Sequence, residues 1–371
     1  MASDTACLYG DKRNRRRELQ QVAIVSSPDE RKQPRFQYVF FAYGTSIIGW
    51  TNCRSVIMVD AIFFKAKYRG VLMIAMSKDE NNNIFPLAFG IADSKNNESY
   101  NWFFNQLRYA TELREKLSIL SYRHPSIANI ITNVYPECQH GICIYHKEKN
   151  LRKRYFSDVV LSLFYNAATA YKRTEFYTFI DEIEKVNKGA VEYLNEEEPE
   201  RWARSFHTNR RYNMLTTNNV ESMNVVLRKS RLLPILGLID YIHNKLKSLF
   251  YERKMKSQGN FHDITRWAKV EVTDKIQVAL KLKVDLIDST KFVIREEKVE
   301  YIVDLKSRTC QCLVFQIDEI PCTHAIAAIE SRHMNKLAIV LIGSQGSLDY
   351  KHTREKSCQF KAWHHGLSQI T

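Results

Sequence analysis

Residues 54–93 read RSVIMVDAIFFKAKYRGVLMIAMSKDENNNIFPLAFGIAD, and this stretch decides the fold. It contains three short apolar runs rich in β-branched residues, SVIMVD, VLMIAMS and IFPLAFGIA. Turn-forming residues at 68–70 and 78–83 separate the runs, so the pattern predicts three consecutive β-strands. The first predicted strand ends on an acidic residue, Asp60.

The next segment, NESYNWFFNQLRYATELREK, has helical periodicity and predicts a helix capped by Asn97 or Ser99. Its predicted inward face consists of Trp102, Phe103, Gln106, Leu107 and Ala110. A strand (LSILSY), a helix (HPSIANIITNVY) and another strand (HGICIYH) are predicted to follow. This alternation predicts an α/β fold with helices on the faces of a mixed sheet. The β-β-β-α order is that of a ribonuclease H-like fold, whose chemistry depends on carboxylates at strand ends.

The composition limits the class of protein and of partner. The chain has 371 residues, 44% of them hydrophobic, and a formal net charge of +14; this is a folded protein with a preference for polyanions. We expect DNA as the polyanion, since no basic amphipathic helix or lipidation signal points to a membrane. No apolar run is long enough to span a bilayer and the N-terminus lacks an apolar signal core, so we expect an intracellular protein.

The eight cysteines are too unevenly spread for a disulfide framework, which favours reduced thiols and a metal site. Cys310, Cys312, Cys322 and His324 have the spacing CxCx9CxH, and the HAIAAIE that ends this motif predicts a helix. Three thiolates and an imidazole suit a closed, tetrahedral structural zinc site with no position left for catalysis. Four unligated residues are the weaker alternative.

The predicted organisation has six parts. They are a basic polar arm (1–35), a sheet domain (36–155), a helical insertion (156–215), further helices (216–265), the cysteine-cluster region (270–330) and a tail (331–371). The basic run of the arm, Lys12 to Arg17, has three interpretations: a nuclear-import signal, a phosphate-binding arm or a charged tail. In 270–303, the alternating KIQVALKLKV and KFVIREEKVEYIVDL predict strands that lead into the cysteines.

Several long motifs resemble a known family. Residues 59–70, DENNNIFPLAFGIADS, NWFFNQL, HPSI and CQHGICIYHKEKN resemble the transposase domain of plant Mutator-like elements, and of the far-red-impaired-response type of transcription factor domesticated from them. The resemblance covers about 36–330 in order. The cysteine cluster, with Phe315, Gln316, Pro321 and Ala325 around it, resembles a SWIM zinc finger of ββα form.

The resemblance implies a strand-transfer site of three acids that hold two Mg²⁺ or Mn²⁺ ions. Asp60 and Glu221, in TTNNVESMN, match the first and third acids, but Tyr122 replaces the middle one. A phenol is neutral at pH 7 and offers one weak oxygen, so the site is expected to lose most of its metal affinity. Asp60 could instead begin a turn, and Glu221 could complete a capping box with Asn218.

Two further features lie after the second acid position. Cys143 and His146 form a CxxH pair, and on the predicted strand they face opposite ways, which favours packing or hydrogen bonding over a zinc site. The densest basic patch next to the sheet consists of Lys147, Lys149, Arg152, Lys153 and Arg154. Phosphate contact and a solvated helix face are equally good interpretations of this patch.

Together these observations predict a nuclear, zinc-binding, transposase-derived protein that binds DNA or a protein partner and is deficient in strand transfer. A homodimer is a further option, and no small-molecule substrate is expected. Two alternatives stay open: an active metal-dependent DNA transposase, and a SWIM-finger interaction module that acts in transcription regulation. A domesticated regulator and a decaying element relic fit the sequence alike.

Overall fold

The computed structural model describes residues 5–7, 19–28, 34–64, 70–123, 125–207, 214–257 and 265–332. They fall into two compact units, Met1–Phe261 and His262–Thr371. No helix within the described ranges is long and apolar enough to cross a membrane.

One mixed sheet of eight strands forms the centre of the first unit. The strands are β1 (Thr5–Cys7), β2 (Leu19–Pro28), β3 (Pro34–Tyr43), β4 (Val56–Phe63), β5 (Val71–Lys78), β6 (Ile84–Ala92), β7 (Ser118–Ser121) and β8 (Gln139–Ile142). Their order is β1-β2-β3-β6-β5-β4-β7-β8. The β4–β7 and β7–β8 pairs are parallel and the other neighbours are antiparallel. The predicted mixed α/β sheet is therefore confirmed.

Ten α-helices accompany this sheet in the described part of the first unit. They are α1 (Gly44–Trp50), α2 (Asn97–Ala110), α3 (Pro125–Val134), α4 (Ile144–Arg154), α5 (Asp158–Thr169), α6 (Arg173–Val186), α7 (Lys188–Asn195), α8 (Pro199–Trp202), α9 (Asn218–Val226) and α10 (Ile235–Ser257). One core lies between the sheet and α2 with α3, and a second lies between the opposite face and α9 with α10. Strand β5 is buried almost throughout because helices cover both of its faces.

The sheet begins before residue 36, because β2 pairs with β3 along most of its length. Strand β2 therefore lies within residues 1–35, which the sequence predicted to be a solvated arm. The basic run from Lys12 to Arg17 lies outside the described residues.

The prediction that HGICIYH is one strand is wrong. Strand β8 ends at Ile142 and helix α4 begins at Ile144. The buried residues of α4 are Ile144, Lys147 and Leu151, which recur at helical spacing and give the segment one inward face. Cys143 consequently occupies the N-cap position of a helix.

Helix α2 packs so closely on the sheet that β6 requires a glycine beneath it. The helix is capped by Asn96, one residue before the predicted Asn97, and the Asn96 side chain accepts a hydrogen bond from the Ser99 N–H at 2.8 Å. Of its predicted inward face, Phe103, Leu107 and Ala110 are buried. A Cβ added at Gly90 would lie 2.5 Å from Cδ2 of the fully buried Phe103.

The second unit consists of a four-stranded antiparallel sheet and three helices in the described residues. These elements are α11 (Arg266–Ala279), β9 (Lys283–Leu286), β10 (Lys291–Glu296), β11 (Val299–Asp304), β12 (Thr309–Cys310), α12 (Val314–Asp318) and α13 (Thr323–Ser331). The strand order is β12-β11-β10-β9. The strand prediction for KIQVALKLKV is wrong for its first half, which belongs to α11. Thr265 caps this helix, and the buried Ala268, Val272 and Ala279 follow helical spacing.

We predict that Gly90→Ala lowers the free energy of unfolding by about 1–3 kcal/mol, because the new methyl group must displace the Phe103 ring in a closed core. Chemical denaturation of the variant measures this. Gly237→Ala is the matched control, because the nearest atom to its added Cβ lies 3.5 Å away. A Gly90→Ala variant as stable as wild type would show that α2 is not tightly packed on β6.

Candidate functional sites

Asp60 lies inside β4, at the point where the pairing of β4 with β7 ends. Its side chain is only 8% exposed and accepts hydrogen bonds from the Ala61 N–H at 2.8 Å and from Asn224 Nδ2 at 3.1 Å. Burial raises the pKa of this carboxyl group, while the two hydrogen bonds and the nearby His146 and Lys95 lower it. Asp60 is therefore a buried, partnered acid and does not begin a turn.

Tyr122 stands beside Asp60, at the position predicted to have lost an acid. It directly follows β7, whose Ser121 pairs with Val59 of β4, so the parallel register brings Tyr122 next to Asp60. The hydroxyl groups of Tyr122 and Tyr100 share a short hydrogen bond. Burial raises the pKa of Tyr122; the hydrogen bond to Tyr100 opposes this and the Asp60 charge reinforces it. The phenol is accordingly neutral at physiological pH.

A lysine that the sequence analysis did not single out completes this pocket. Lys95 Nζ lies 5.1 Å from the centre of the Tyr122 ring and 4.7 Å from that of Phe63. Burial lowers the pKa of Lys95, and the attraction of Asp60 opposes that change. Lys95 follows β6 in a polar loop, where only the fold brings it to the strand that carries Asp60.

Position 221, the predicted third acid, belongs to helix α9, which contacts Asp60. It lies three residues before Asn224, whose amide group donates a hydrogen bond to Asp60. The N-cap of α9 is Thr217, one residue before the Asn218 that a capping box with Glu221 requires. The Glu221 side chain itself lies outside the described residues.

Cys143 and His146 form a hydrogen bond within the first turn of α4. The prediction that Cys143 and His146 face opposite ways on a strand is wrong, because a helix brings residues three apart onto one face. The predicted hydrogen-bonding role is nevertheless confirmed. The Cys143 sulfur also accepts a hydrogen bond from the Thr217 N–H at 3.2 Å. Burial opposes ionisation of Cys143, but the bonds to His146 and Thr217 lower its pKa. Cys143 thus connects the start of α4 to the N-cap of α9.

The predicted basic patch is not a single phosphate-binding face. Lys147 is fully buried, and its Nζ donates a hydrogen bond to the Leu194 carbonyl at 3.3 Å. The ammonium lies about as close to the Tyr193 ring, at 5.3 Å, as to the Trp202 ring, at 5.2 Å. Lys147 therefore anchors α4 to the helical insertion, and its prediction as a phosphate contact is wrong.

The other members of the patch, Lys149, Arg152, Lys153 and Arg154, are exposed. Arg152 forms ion pairs with Glu148 and Asp158, and Arg154 pairs with Glu196. These acids compete with phosphate for the two arginines. The role of these four residues in nucleic-acid binding stays a prediction.

The four predicted zinc ligands converge in the second unit. The ligand atoms of Cys310, Cys312, Cys322 and His324 all lie within 4.8 Å of one another. His324 Nδ1 is 3.6 Å from the Cys310 sulfur and 4.0 Å from the Cys322 sulfur. Ligand atoms on a tetrahedral zinc ion lie about 3.5–3.8 Å apart. The cluster therefore fits one zinc ion once its widest separations close by up to about 1 Å.

Neighbouring residues orient the zinc ligands in a way that the sequence did not reveal. The second ring nitrogen of His324, Nε2, lies 3.0 Å from a carboxylate oxygen of Glu296, and the ring stacks on Tyr301. A carboxylate behind a metal-bound histidine fixes its tautomer and raises its basicity. The Gln316 side chain both donates to the Cys310 carbonyl and accepts from its N–H. These contacts aim His324 Nδ1 and the Cys310 thiolate at a common point.

Comparison with known protein families finds two matching domains. Residues 56–150 match the MULE transposase domain, and residues 301–333 match the SWIM zinc finger. The first match contains Asp60, Tyr122 and Cys143, and the second contains all four zinc ligands. No curated protein matches the chain. The two matches are consistent with a MULE transposase-derived protein and support structural Zn²⁺ in the cysteine–histidine cluster.

Lys147 makes the stability of the first unit depend on pH. Burial lowers its pKa to about 7, below the value near 10.4 of an unfolded chain. Since the unfolded state binds this proton more tightly, the Lys147 contribution to stability rises as the pH increases from about 7 to about 10.

We predict that Lys147→Met removes this rise and stabilises the protein at pH 7, because the thioether keeps the contacts with Tyr193 and Trp202 without a buried charge. Urea unfolding at several pH values, with each variant compared with wild type, measures the difference. Lys153→Met, on the same helix but exposed, is the control and should follow the wild-type profile. A Lys147→Met variant that is less stable than wild type at pH 7 would contradict the argument.

The zinc site predicts one zinc ion per chain, and removal of the ion is expected to unfold the second unit, because zinc binding supplies folding energy to small domains. Zinc content and helix content after chelation test this.

Glu296→Gln should weaken zinc binding by about 10-fold or more, because the histidine loses its carboxylate partner. Glu297→Gln, at the neighbouring turn, is the control. Equal zinc affinity of the two variants would show that Glu296 does not support His324.

Proposed function

We propose that this chain, which carries a MULE transposase domain and a SWIM zinc finger, is a nuclear DNA-binding protein whose ancestral strand-transfer site no longer works. The observation that carries the proposal is the pocket around Asp60. A neutral phenol, bonded to Tyr100, fills the middle acid position, and the ammonium of Lys95 lies over the phenol ring, near enough to Asp60 for the two charges to attract. Mg²⁺ requires charged oxygen ligands, and the described residues of this pocket do not fit a pair of such ions.

The fold supports the transposase ancestry of this pocket. The strands β6-β5-β4-β7-β8 are adjacent in that order, the first three antiparallel and the last three parallel. We propose that this is the predicted ribonuclease H-like core, with α5 to α8 as its insertion. Asp60 lies on its central strand, β4, Tyr122 directly follows the neighbouring β7, and α9 contacts Asp60 through Asn224, three residues after position 221.

The proposed DNA partner rests on charge and ancestry. A formal net charge of +14 supplies sequence-independent attraction to phosphates. A nuclear location rests on the basic run from Lys12 to Arg17, which has the composition of an import signal. On this view the protein is a domesticated regulator of the far-red-impaired-response type or an element relic that still binds DNA.

A second candidate function is that of a SWIM-finger interaction module. The zinc-binding unit is compact in itself and carries its own core around Phe292, Phe315 and Ile326. An isolated unit that binds the partner as tightly as the full chain would favour this second function.

We predict that the zinc-loaded protein neither binds Mn²⁺ at the Asp60 pocket nor nicks labelled DNA. Tyr122→Asp adds the missing carboxylate but leaves Lys95 beside it, so restored metal binding should be weak. Tyr122→Asp combined with Lys95→Gln should bind Mn²⁺ about 10-fold more tightly than the single variant, because one opposing positive charge near a metal site is worth at least about 1.4 kcal/mol. Calorimetric titration with Mn²⁺ measures this without any need for the correct DNA sequence.

Asp60→Asn in the double variant is the control and should abolish the added Mn²⁺ binding. If the unmodified protein nicks DNA and Asp60→Asn abolishes the nicking, the active transposase alternative is established and the proposal is overturned. Retention of labelled DNA by the wild type in a gel-shift assay tests the DNA-binding half separately.

A further inference from the structure

The connection between α9 and α10 carries an exposed set of aliphatic side chains. Val225 and Val226 end α9, and Leu232 and Leu236 flank the start of α10; we call this surface, with the basic residues between them, the α9–α10 ridge. The side chains are 58% (Val225), 47% (Val226), 56% (Leu232) and 77% (Leu236) exposed. A group of large aliphatic side chains in water marks an interaction site more often than single ones do.

The ridge borders the Asp60 pocket. Asn224, which contacts Asp60, immediately precedes Val225 on α9. Arg231, within the ridge, donates a hydrogen bond from Nη1 to the carbonyl of Phe63 at 3.2 Å, and Phe63 is the last residue of the strand that carries Asp60. A molecule lying on the ridge would therefore extend towards Asp60.

The basic residues of the ridge have no acidic partner among the described residues. Arg228 and Lys229 are exposed, and no ion pair in the described part of the chain involves them or Arg231. Burial lowers the pKa of Arg231, and the positive charge of Arg228 lowers it further. Cationic groups that repel one another bind an anion favourably, since the anion relieves that repulsion.

Charge decides which partner fits this surface. A second copy of this chain, packed around a twofold axis, would bring the same three cations against themselves. A nucleic-acid strand offers phosphates to the cations and, where its bases are unstacked, flat apolar surfaces to the aliphatic side chains. Fully stacked duplex DNA offers only the phosphates.

We propose that the α9–α10 ridge binds DNA at a place where the bases are unpaired, with Arg228 and Lys229 on the phosphates and Leu232 and Leu236 against the exposed bases. This inference rests on the proposed function, since it locates on the core the DNA binding that we propose for the chain. The ridge would hold an opened DNA end beside the Asp60 pocket whether or not that pocket still acts on it.

The test compares two fluorescent DNA probes of equal length, a fully paired duplex and a duplex with one splayed, unpaired end. Anisotropy titrations use the zinc-loaded full chain at several salt concentrations. Leu232→Ser combined with Leu236→Ser removes the aliphatic part of the ridge, and Arg228→Gln combined with Lys229→Gln removes the cationic part. Val159→Ser combined with Tyr165→Ser, two exposed positions on α5, is the matched control. Circular dichroism and thermal unfolding confirm that each variant is folded.

We expect wild type to bind the splayed probe more tightly than the duplex. The leucine variant should bind the splayed probe about tenfold more weakly than wild type does, because burying leucine side chains is worth at least that factor. Its affinity for the duplex should be unchanged. The basic variant should bind both probes more weakly, with a salt slope lower by about 2. Equal binding of the splayed probe by wild type and the leucine variant would overturn the inference and leave the proposed function intact. So would a wild-type dimer that the leucine substitutions dissociate. If wild type binds neither probe, the proposed DNA-binding function fails, and the inference fails with it.

Discussion

The need to satisfy one buried carboxylate organises the first unit. Asp60 lies within a sheet that helices cover on both faces, so it must find donors and an opposing charge in the protein itself. The Ala61 N–H and the Asn224 side chain on α9 donate hydrogen bonds to it, and Lys95 supplies a nearby positive charge. The same contact with Asn224 holds α9 against the sheet. Helix α9 and the α9–α10 ridge consequently lie near Asp60, although more than 150 residues separate them along the chain.

Tyr122 belongs to a closed set of protein contacts around Asp60. An acid at position 122 would add a second negative charge beside Asp60, which divalent ions could neutralise. With Tyr122 there, the attraction of Asp60 raises the Lys95 pKa that burial lowers, and the phenol forms a hydrogen bond with Tyr100. Cys143 still ties the start of α4 to the N-cap of α9, so the frame around the pocket is preserved. The packing of the core around Asp60 thus rests on contacts within the protein.

Much of the fold was predictable, because buried strands and amphipathic helices leave periodic patterns in the sequence. The central strands and α2 followed such patterns, as did α13 after the zinc ligands. The errors arose in segments where apolar content alone was taken to indicate a strand, without regard to the spacing of the apolar residues. HGICIYH and KIQVALKLKV both contain helical segments whose inward residues recur every three or four positions. The prediction that Lys147 contacts phosphate was wrong for a related reason. The long aliphatic part of a lysine side chain lets it lie in an aromatic core, and the charge of the residue alone does not reveal this.

The sequence by itself determined the zinc site and the α/β class of the core. Each depends on residue type at short, fixed spacing, which the chain carries locally. Only the tertiary structure decided which side chains surround those residues. Lys95 beside Asp60 and Glu296 behind His324 come from separate elements, and no local pattern marks them. Their roles arise from burial, which forces each charged group to be satisfied by whichever residues the fold brings within reach.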